Sequence, residues 1–477
     1  MNNVWQINDR GKNKLNRNLS LMEITKKLQT VLTTKLSAAC VKIFIAVIIL
    51  LTPFFMSAQY GIKDSLLQEV TLKNAVEYAI VRQPQIEQSV IDEEILETTI
   101  KSKLADWYPQ INFNYSLQHN FIVPTAIFGG NPVKLGVDNT SGGLFSVSQA
   151  IFNKDVLLAS RTKKDVRLQA KQFTSNNKIA LAATVSKAFY DILSTEQQIK
   201  VSTTNIQRIE LSLKDAYNQY TAGIADKIDY KRATIALNNA KAAKRSNEEL
   251  LKGKLENLKR LMGYPISGNL NIVYDSLQME NEVALDTLQQ ANYAFRIEYQ
   301  LLQTQRRLLQ YNVKYNKWSY LPAISANGAY NLNYQSNNFS KLYGNNFPSS
   351  FAALTLGFPI FQGGKRKASL QAAQLELERN NLDIVNFKNI VNSAYTQALA
   401  VYKSNLENFK ALKQNLTLAK EVYDILQLQY RSGIKAYLEV ITSETDLRTA
   451  EINYYAALYG LLASKIDVQT ALGQIVY

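Results

Sequence analysis

Two stretches of this chain contain neither proline nor glycine: Asp155 to Tyr220 and Lys365 to Arg431, each about 66 residues. Proline removes a helical hydrogen bond and clashes with the preceding turn, and glycine adds backbone entropy to be lost. Their joint absence over such a length favours uninterrupted helix. At ~1.5 Å per residue each stretch runs roughly 100 Å, far beyond what a globular core can cover. The 477 residues hold only 9 Pro and 19 Gly in total, so long elements are expected throughout.

A helix of that length needs a partner of similar length to bury its apolar stripe. After Gly223 the chain returns only to about Met262, some 38 residues, or roughly 57 Å. The segment Gln85 to Asp106 adds about 22 residues, and the sum approaches the long helix. In the second half, about Glu298 to Trp318 and Lys435 to Leu472 add up in the same way. Each half is therefore expected to pair one continuous helix with two stacked shorter ones. Leu412, Leu416, Ala419, Val422, Leu426 and Tyr430 step by threes and fours, the pattern of an antiparallel coiled-coil seam with no chemistry of its own.

Three landmarks recur in register. Pro109 and Pro322 are separated by 213 residues, Phe152 and Phe361 by 209, and the glycines of "YTAGIADKIDY" and "YRSGIKAYLEV", Gly223 and Gly433, by 210. Landmarks in the same order at the same spacing indicate a duplication. The expected organisation is an N-terminal extension and signal peptide over 1–58, a first repeat over 59–270 and a second over 271–477.

Four segments alternate apolar and polar residues for about ten positions each, the length of a tilted membrane strand. Ile111, Phe113, Tyr115 and Leu117 alternate with Asn and Ser in the first; Gly143 to Phe152 is the least regular. Ile324, Ala326, Gly328, Tyr330, Leu332 and Tyr334 form one side of the third, and Ala352, Leu354, Leu356, Phe358 and Ile360 one side of the fourth. Strands facing a soluble core are the alternative. Four strands cannot close in a bilayer, because open edges leave backbone groups unsatisfied in hydrocarbon, and the smallest closed barrels have about eight. Membrane strands would thus demand oligomers, and three copies would supply twelve.

The N-terminal region carries an apolar run from Ile43 to Phe55 after Lys42, followed by Ser57 and Ala58. About 13 residues are too few for a membrane helix and suit a secretory signal cleaved after Ala58, with a single membrane anchor as the alternative. Cys40 precedes the run, where it cannot bear the lipid of a lipoprotein, and Met22 offers an alternative start.

One His and one Cys in the chain remove His-based triads and most metal sites, and no paired carboxylates recur with polar support, so neither an enzyme nor a cofactor is expected. His119 is read as a strand residue beside Asn120. The net charge of +15 is concentrated in part in residues 1–58, which hold eight Lys/Arg and two acids. The remainder is spread with mixed signs along helices, which argues against nucleic acid.

Duplicated strand pairs, long proline-free helices and Tyr-x-x-Gly turns together resemble the TolC-like outer-membrane efflux protein family, the outer-membrane factors of tripartite export systems. The resemblance covers Val70 to Leu472, and "YRSGIKAYLEVITSETDLRTAEINYYAALYGLLASKIDVQTALG" is similar to the family's last helical pair. It implies a mixed fold of α-helical hairpins, forming an α-barrel, and four transmembrane β-strands per protomer in a trimeric 12-stranded β-barrel. It further implies an exit duct in outer-membrane lipid that extends into the periplasm, with a periplasmic adaptor (membrane fusion) protein and an inner-membrane pump as partners. By the same resemblance, Ala222, Gly223, Ile224, Ser432, Gly433 and Ile434 form the adaptor-docking tip. Tyr430, Lys435, Glu439 and Asp229 form the periplasmic gate, Tyr430 and Lys435 holding Asp229 and three Glu439 making an acidic ring. Lys435 stands where Arg is usual, and Thr442 where a second carboxylate is usual. A periplasmic coiled-coil scaffold without a channel is the alternative, separable by membrane fractionation.

Overall fold

The structure, a computed structural model, describes residues 67–290 and 292–475. The signal-peptide reading of 1–58 therefore lies outside the described residues.

In the first repeat, helix α1 (Leu72–Arg82) leads to α2 (Pro84–Ala105), strand β1 (Gln110–His119), a small hairpin β2 (Thr125–Phe128) and β3 (Asn131–Lys134), strand β4 (Asn139–Phe152), the 68-residue α3 (Lys154–Thr221) and α4 (Lys227–Met262). A short helix α5 (Ser276–Glu282) follows. The second repeat runs α6 (Ile297–Trp318), β5 (Ala323–Ser336), β6 (Ser349–Gly357), the 67-residue α7 (Lys365–Arg431) and α8 (Tyr437–Leu472). Among the described residues no helix is long and apolar enough to cross a membrane. The long-helix boundaries match the Pro/Gly-free stretches to within a residue.

The stacking inferred from lengths is present, and glycine makes the joint. Gly263 closes α4 with φ 66°, and a Cβ there would lie 2.4 Å from the carbonyl oxygen of Arg82. Gly473 closes α8 with φ 73°, against the Phe295–Arg296 backbone. In each repeat the left-handed glycine lets one helix end abut the backbone that starts the next. A strap over 264–295 crosses this level: Val70 bridges Ile272 in parallel, and the Tyr402 hydroxyl donates to the Val283 carbonyl at 2.7 Å. The main core lies here, with Phe189, Ile192, Leu193, Tyr402, Leu458 and Leu462 almost fully buried.

Within α7 the buried positions Tyr395, Tyr402, Phe409, Tyr423 and Tyr430, with Leu416 packed beside them, fall on a seven-residue period. That period implies left-handed supercoiling of the pair. The seam passes through Tyr423 and leaves Val422 exposed, a correction to the stripe read from the sequence. Three-and-four stepping fits neighbouring stripes equally well, and a large amphipathic Tyr displaces a Val at the buried position.

The four long strands form one antiparallel sheet in the order β1-β4-β5-β6. The register places Ile111 opposite Val147 opposite Gly328 opposite Ala352, and Phe113 opposite Phe145 opposite Tyr330. That face is predominantly apolar in the single chain, interrupted by Gln149 beside Ala326 and Ser350 opposite Tyr330, with Ile111, Phe113, Phe145, Val147 and Tyr330 exposed. The other carries Asn112, Ser146, Asn327, Thr355, Asn331 and Asn333, with Asn327 Nδ2 donating to Thr355 Oγ1 at 3.0 Å. The fourth strand ends at Gly357, short of the Phe358 and Ile360 assigned to it from the alternation, because Pro359 cannot donate to a ladder. The β2–β3 hairpin was not anticipated, and Pro132 within β3 is one reason.

We expect Gly263→Ala to cost about 3 kcal/mol, combining left-handed strain with a backbone clash, and Gly433→Ala, which has open space around it, about 1 kcal/mol. Thermal unfolding in detergent checks the ranking; equal losses would contradict the joint.

Candidate functional site at the hairpin tips

Both tip turns close in the same way. Gly223 takes φ 75° and Gly433 φ 74°. Gly223 N donates to the Tyr220 carbonyl at 3.0 Å and Ile224 N to that of Gln219 at 2.9 Å; Gly433 N donates to Tyr430 and Ile434 N to Gln429, both at 2.9 Å. This is the Schellman pair of bonds, which satisfies the last carbonyls of a helix and needs a left-handed residue. The Ile that follows usually packs back on its helix. Here Ile224 is 78 % exposed and Ile434 70 %. Ala222, Gly223, Ser432 and Gly433 are exposed beside them, so the six tip residues form an open edge with two apolar points.

The turns differ in how the next helix starts. Asp226 caps α4, accepting from Ile228 N at 2.9 Å, whereas Ala436 precedes α8 with no side-chain cap. An uncapped start leaves amide donors to water and loosens the first turn of α8.

Of the four gate residues, the structure pairs two differently from expectation. Lys435 Nζ, in the turn just before α8, lies 2.8 Å from Glu439 Oε2 in the first turn of that helix rather than on Asp229. Tyr430 Oη donates to Gln219 Oε1 at 3.0 Å. Asp229 stands close enough that its charge, after burial, helps push the Tyr430 hydroxyl above its ordinary pKa. The Tyr430 ring packs on Tyr437 with centroids 5.6 Å apart. Thr442 donates to the Leu438 carbonyl at 2.8 Å on its own helix, so no acidic side chain stands there. His119, at the far end of β1, contacts Asn139 Oδ1 through Nδ1 at 2.7 Å, a structural bond between strands.

About three turns from the tip lies a cluster that sequence reasoning missed. Arg208 of α3 reaches Glu451 of α8 at 2.9 Å and lies 3.9 Å from Glu444, also on α8. Glu444 is 2 % exposed, and its Oε1 has no hydrogen-bond partner in the described protein; neither has Arg208 Nε. Burial pushes the Glu444 carboxyl up to about 7, with Arg208 and Arg448 acting against the rise. The missed signal is positional. Among the buried residues of α8, Tyr437, Val440, Glu444 and Leu447 step by threes and fours, with Ser443 buried beside them, so Glu444 occupies a seam position normally apolar. Among the described residues no cluster of three His, Cys, Asp or Glu could hold a metal.

We expect Tyr430→Phe to weaken the tip by about 1 kcal/mol through the lost bond to Gln219, whereas Lys435→Ala costs under about 0.5 kcal/mol because the pair is half exposed. Amide exchange over 428–440 should rise roughly fivefold in the first and little in the second. The reverse order would sink this ranking.

The chain matches the outer membrane efflux protein family over residues 75–264 and 300–474. It is 21 % identical over 314 residues to the probable efflux pump outer membrane protein TtgC of Pseudomonas putida, covering 64 % of this chain and 63 % of TtgC. Against the outer membrane protein TolC of Escherichia coli it is 18 % identical over 438 residues, covering 89 % of this chain and 86 % of TolC. The solved outer membrane protein VceC of Vibrio cholerae superposes with a TM-score of 0.67 at 11 % identity, over 84 % of this chain and 96 % of VceC. The family model matches most of the chain, and the chain therefore belongs to the outer membrane efflux protein family.

Proposed function

We propose that three copies of this chain form a passive exit duct, a β-barrel in the outer membrane continued by an α-barrel through the periplasm. The observation that carries this reading is the sheet. Its outward face is predominantly apolar and exposed, and the outer edges of β1 and β6 have no ladder partner among the described residues. In hydrocarbon an open edge leaves backbone groups unsatisfied, so the sheet must be completed. The first and last strands of an alternating sheet of four are antiparallel, so β6 of one copy continues the ladder onto β1 of the next. Three copies give twelve strands, with the Asn- and Ser-bearing face lining the lumen.

The helices support the same closure. Within the chain α3 packs against α8 and against α6. The repeat makes α7 the counterpart of α3 and α4 the counterpart of α8. Packing α7 of one copy against α4 of the next therefore reproduces a contact that already exists. Exposed Leu382, Val385, Leu418, Val422 and Ile425 on α7 need such a cover.

The tip turns lie at the end of the helices opposite the strands and would meet a periplasmic adaptor, with Ile224 and Ile434 as apolar contacts, coupling the duct to an inner-membrane pump. TtgC is named as an efflux pump component, which is consistent with such a pump. Tyr430, Lys435, Glu439 and Asp229 are the gate candidates, Lys435 and Glu439 being free to exchange partners when neighbouring copies come together. A coiled-coil scaffold would leave the apolar sheet face in water. Purified in detergent, the protein should have the mass of three copies and migrate differently in denaturing gels before and after heating. A monomer that fractionates with soluble periplasmic proteins would refute the duct.

A further inference from the structure

The duplication that builds two similar seams also exposes a difference between them. Inside one protomer the α3–α8 seam carries Arg208, Glu444 and Glu451. At the repeat spacing of 210 residues set by Gly223 and Gly433, the equivalent positions on α7 and α4 are Leu418, Thr234 and Lys241. Leu418 is half exposed in the single chain, Thr234 bonds its own helix at the Tyr230 carbonyl, and Lys241 pairs with Glu210 of its own hairpin at 3.0 Å. The seam within a protomer is thus ionic and incompletely satisfied, while its counterpart between protomers offers an apolar side chain and no buried acid.

Four observations define the Glu444 site. The side chain is buried at a heptad position; its Oε1 has no partner in the described protein; the nearest opposite charge, Arg208, spends its two terminal nitrogens on Glu451 at 2.9 and 3.5 Å; and a cavity of about 380 Å3 opens beside it. The cavity lies between α3, α4 and α8 and is lined by Asn205, Arg232, Asn239, Glu444 and Arg448. Asn205 is 3 % exposed and its Oδ1 also lacks a partner. Charged or titratable groups face this site from every element packed here: Arg208 from α3, Arg232 across the cavity from α4, Tyr423 from α7, and Tyr437, Arg448 and Glu451 from α8 itself. A buried carboxylate is tolerated when neutral and penalised when ionised without full pairing. The cavity gives water and protons a way in.

We propose that the α3–α8 seam of each protomer is a proton-operated latch, closed when Glu444 is protonated and parted when it ionises, and that this seam, rather than the one between protomers, yields when the tip opens. The proposal rests on the duct reading for its consequence at the tip, but the latch itself belongs to the single chain.

The sign follows from burial. The carboxyl titrates near 7 in the packed seam, above its ordinary 4.5. The packed form therefore holds the proton more tightly than a form in which Glu444 is hydrated. The stabilisation it gives is present below pH 4.5 and lost as pH rises through 7. If the parted seam returns Glu444 to its ordinary value, the ratio of parted to packed seams rises roughly seventyfold between about pH 5 and pH 8.

The test compares wild type with Glu444→Gln, a near-isosteric neutral group, and Glu444→Ala, each as the full assembly. Amide exchange over 202–210 and 441–451, corrected for intrinsic rates, and open fraction in planar bilayers are followed across that pH range. In wild type both should rise with pH. Both variants should lose the dependence, Glu444→Gln remaining protected and closed throughout. A wild type and a Gln variant with the same pH profiles would overturn the latch. Exchange that moves with pH in wild type alone, in a protein that never conducts, would uphold the latch and overturn the duct.

Discussion

Everything in this chain depends on keeping a wall two helices thick over a length no ordinary helix pair covers. A 68-residue helix with one apolar stripe is stable only if that stripe is covered from end to end, since helical propensity contributes little against the conformational entropy of so many residues. The chain supplies the cover in two pieces and must join them without a gap. Gly263 and Gly473 do this with left-handed backbone and no side chain, the first approaching the Arg82 carbonyl more closely than any Cβ could. Because the joint falls at the same level in both repeats, the strap over 264–295 can cross both.

The proposed closure follows from what one chain leaves uncovered. Each contact within the chain, α3 with α8 and α3 with α6, has an unfilled counterpart on α7. Each end of the sheet has an unfilled ladder. Neither deficit is met among the described residues, and the proposed trimer would meet both with another copy placed the same way. On the proposed closure the seam between copies would repeat the geometry of the α3–α8 seam without its buried acid, and the proposed latch would let the seam within a protomer yield first.

Much of this was legible beforehand. The absence of Pro and Gly located α3 and α7 to within a residue, because those residue types report directly on backbone geometry. Period-two alternation found four strands, and the register aligned their apolar residues on one face. What escaped was whatever depends on partners distant in sequence. Val422 and Tyr423 were indistinguishable by spacing until α8 chose Tyr423. Lys435 was assigned to Asp229 by family resemblance, while the structure gives it Glu439 one turn along. Glu444 escapes for the same reason, although it sits four residues after Val440 and three before Leu447. An acid on a heptad seam is visible in the sequence only once the seam is known.

The account stands most directly on how copies meet. A cryo-electron microscopy structure of the detergent-extracted protein should show a three-fold ring with β6 of each copy laddered onto β1 of the next, and with α7 seated on the neighbour's α4, bringing Leu418 toward Thr234 and Lys241. A different copy number, β1 and β6 left unpaired, or α7 facing lipid or solvent along its exposed stripe would contradict it.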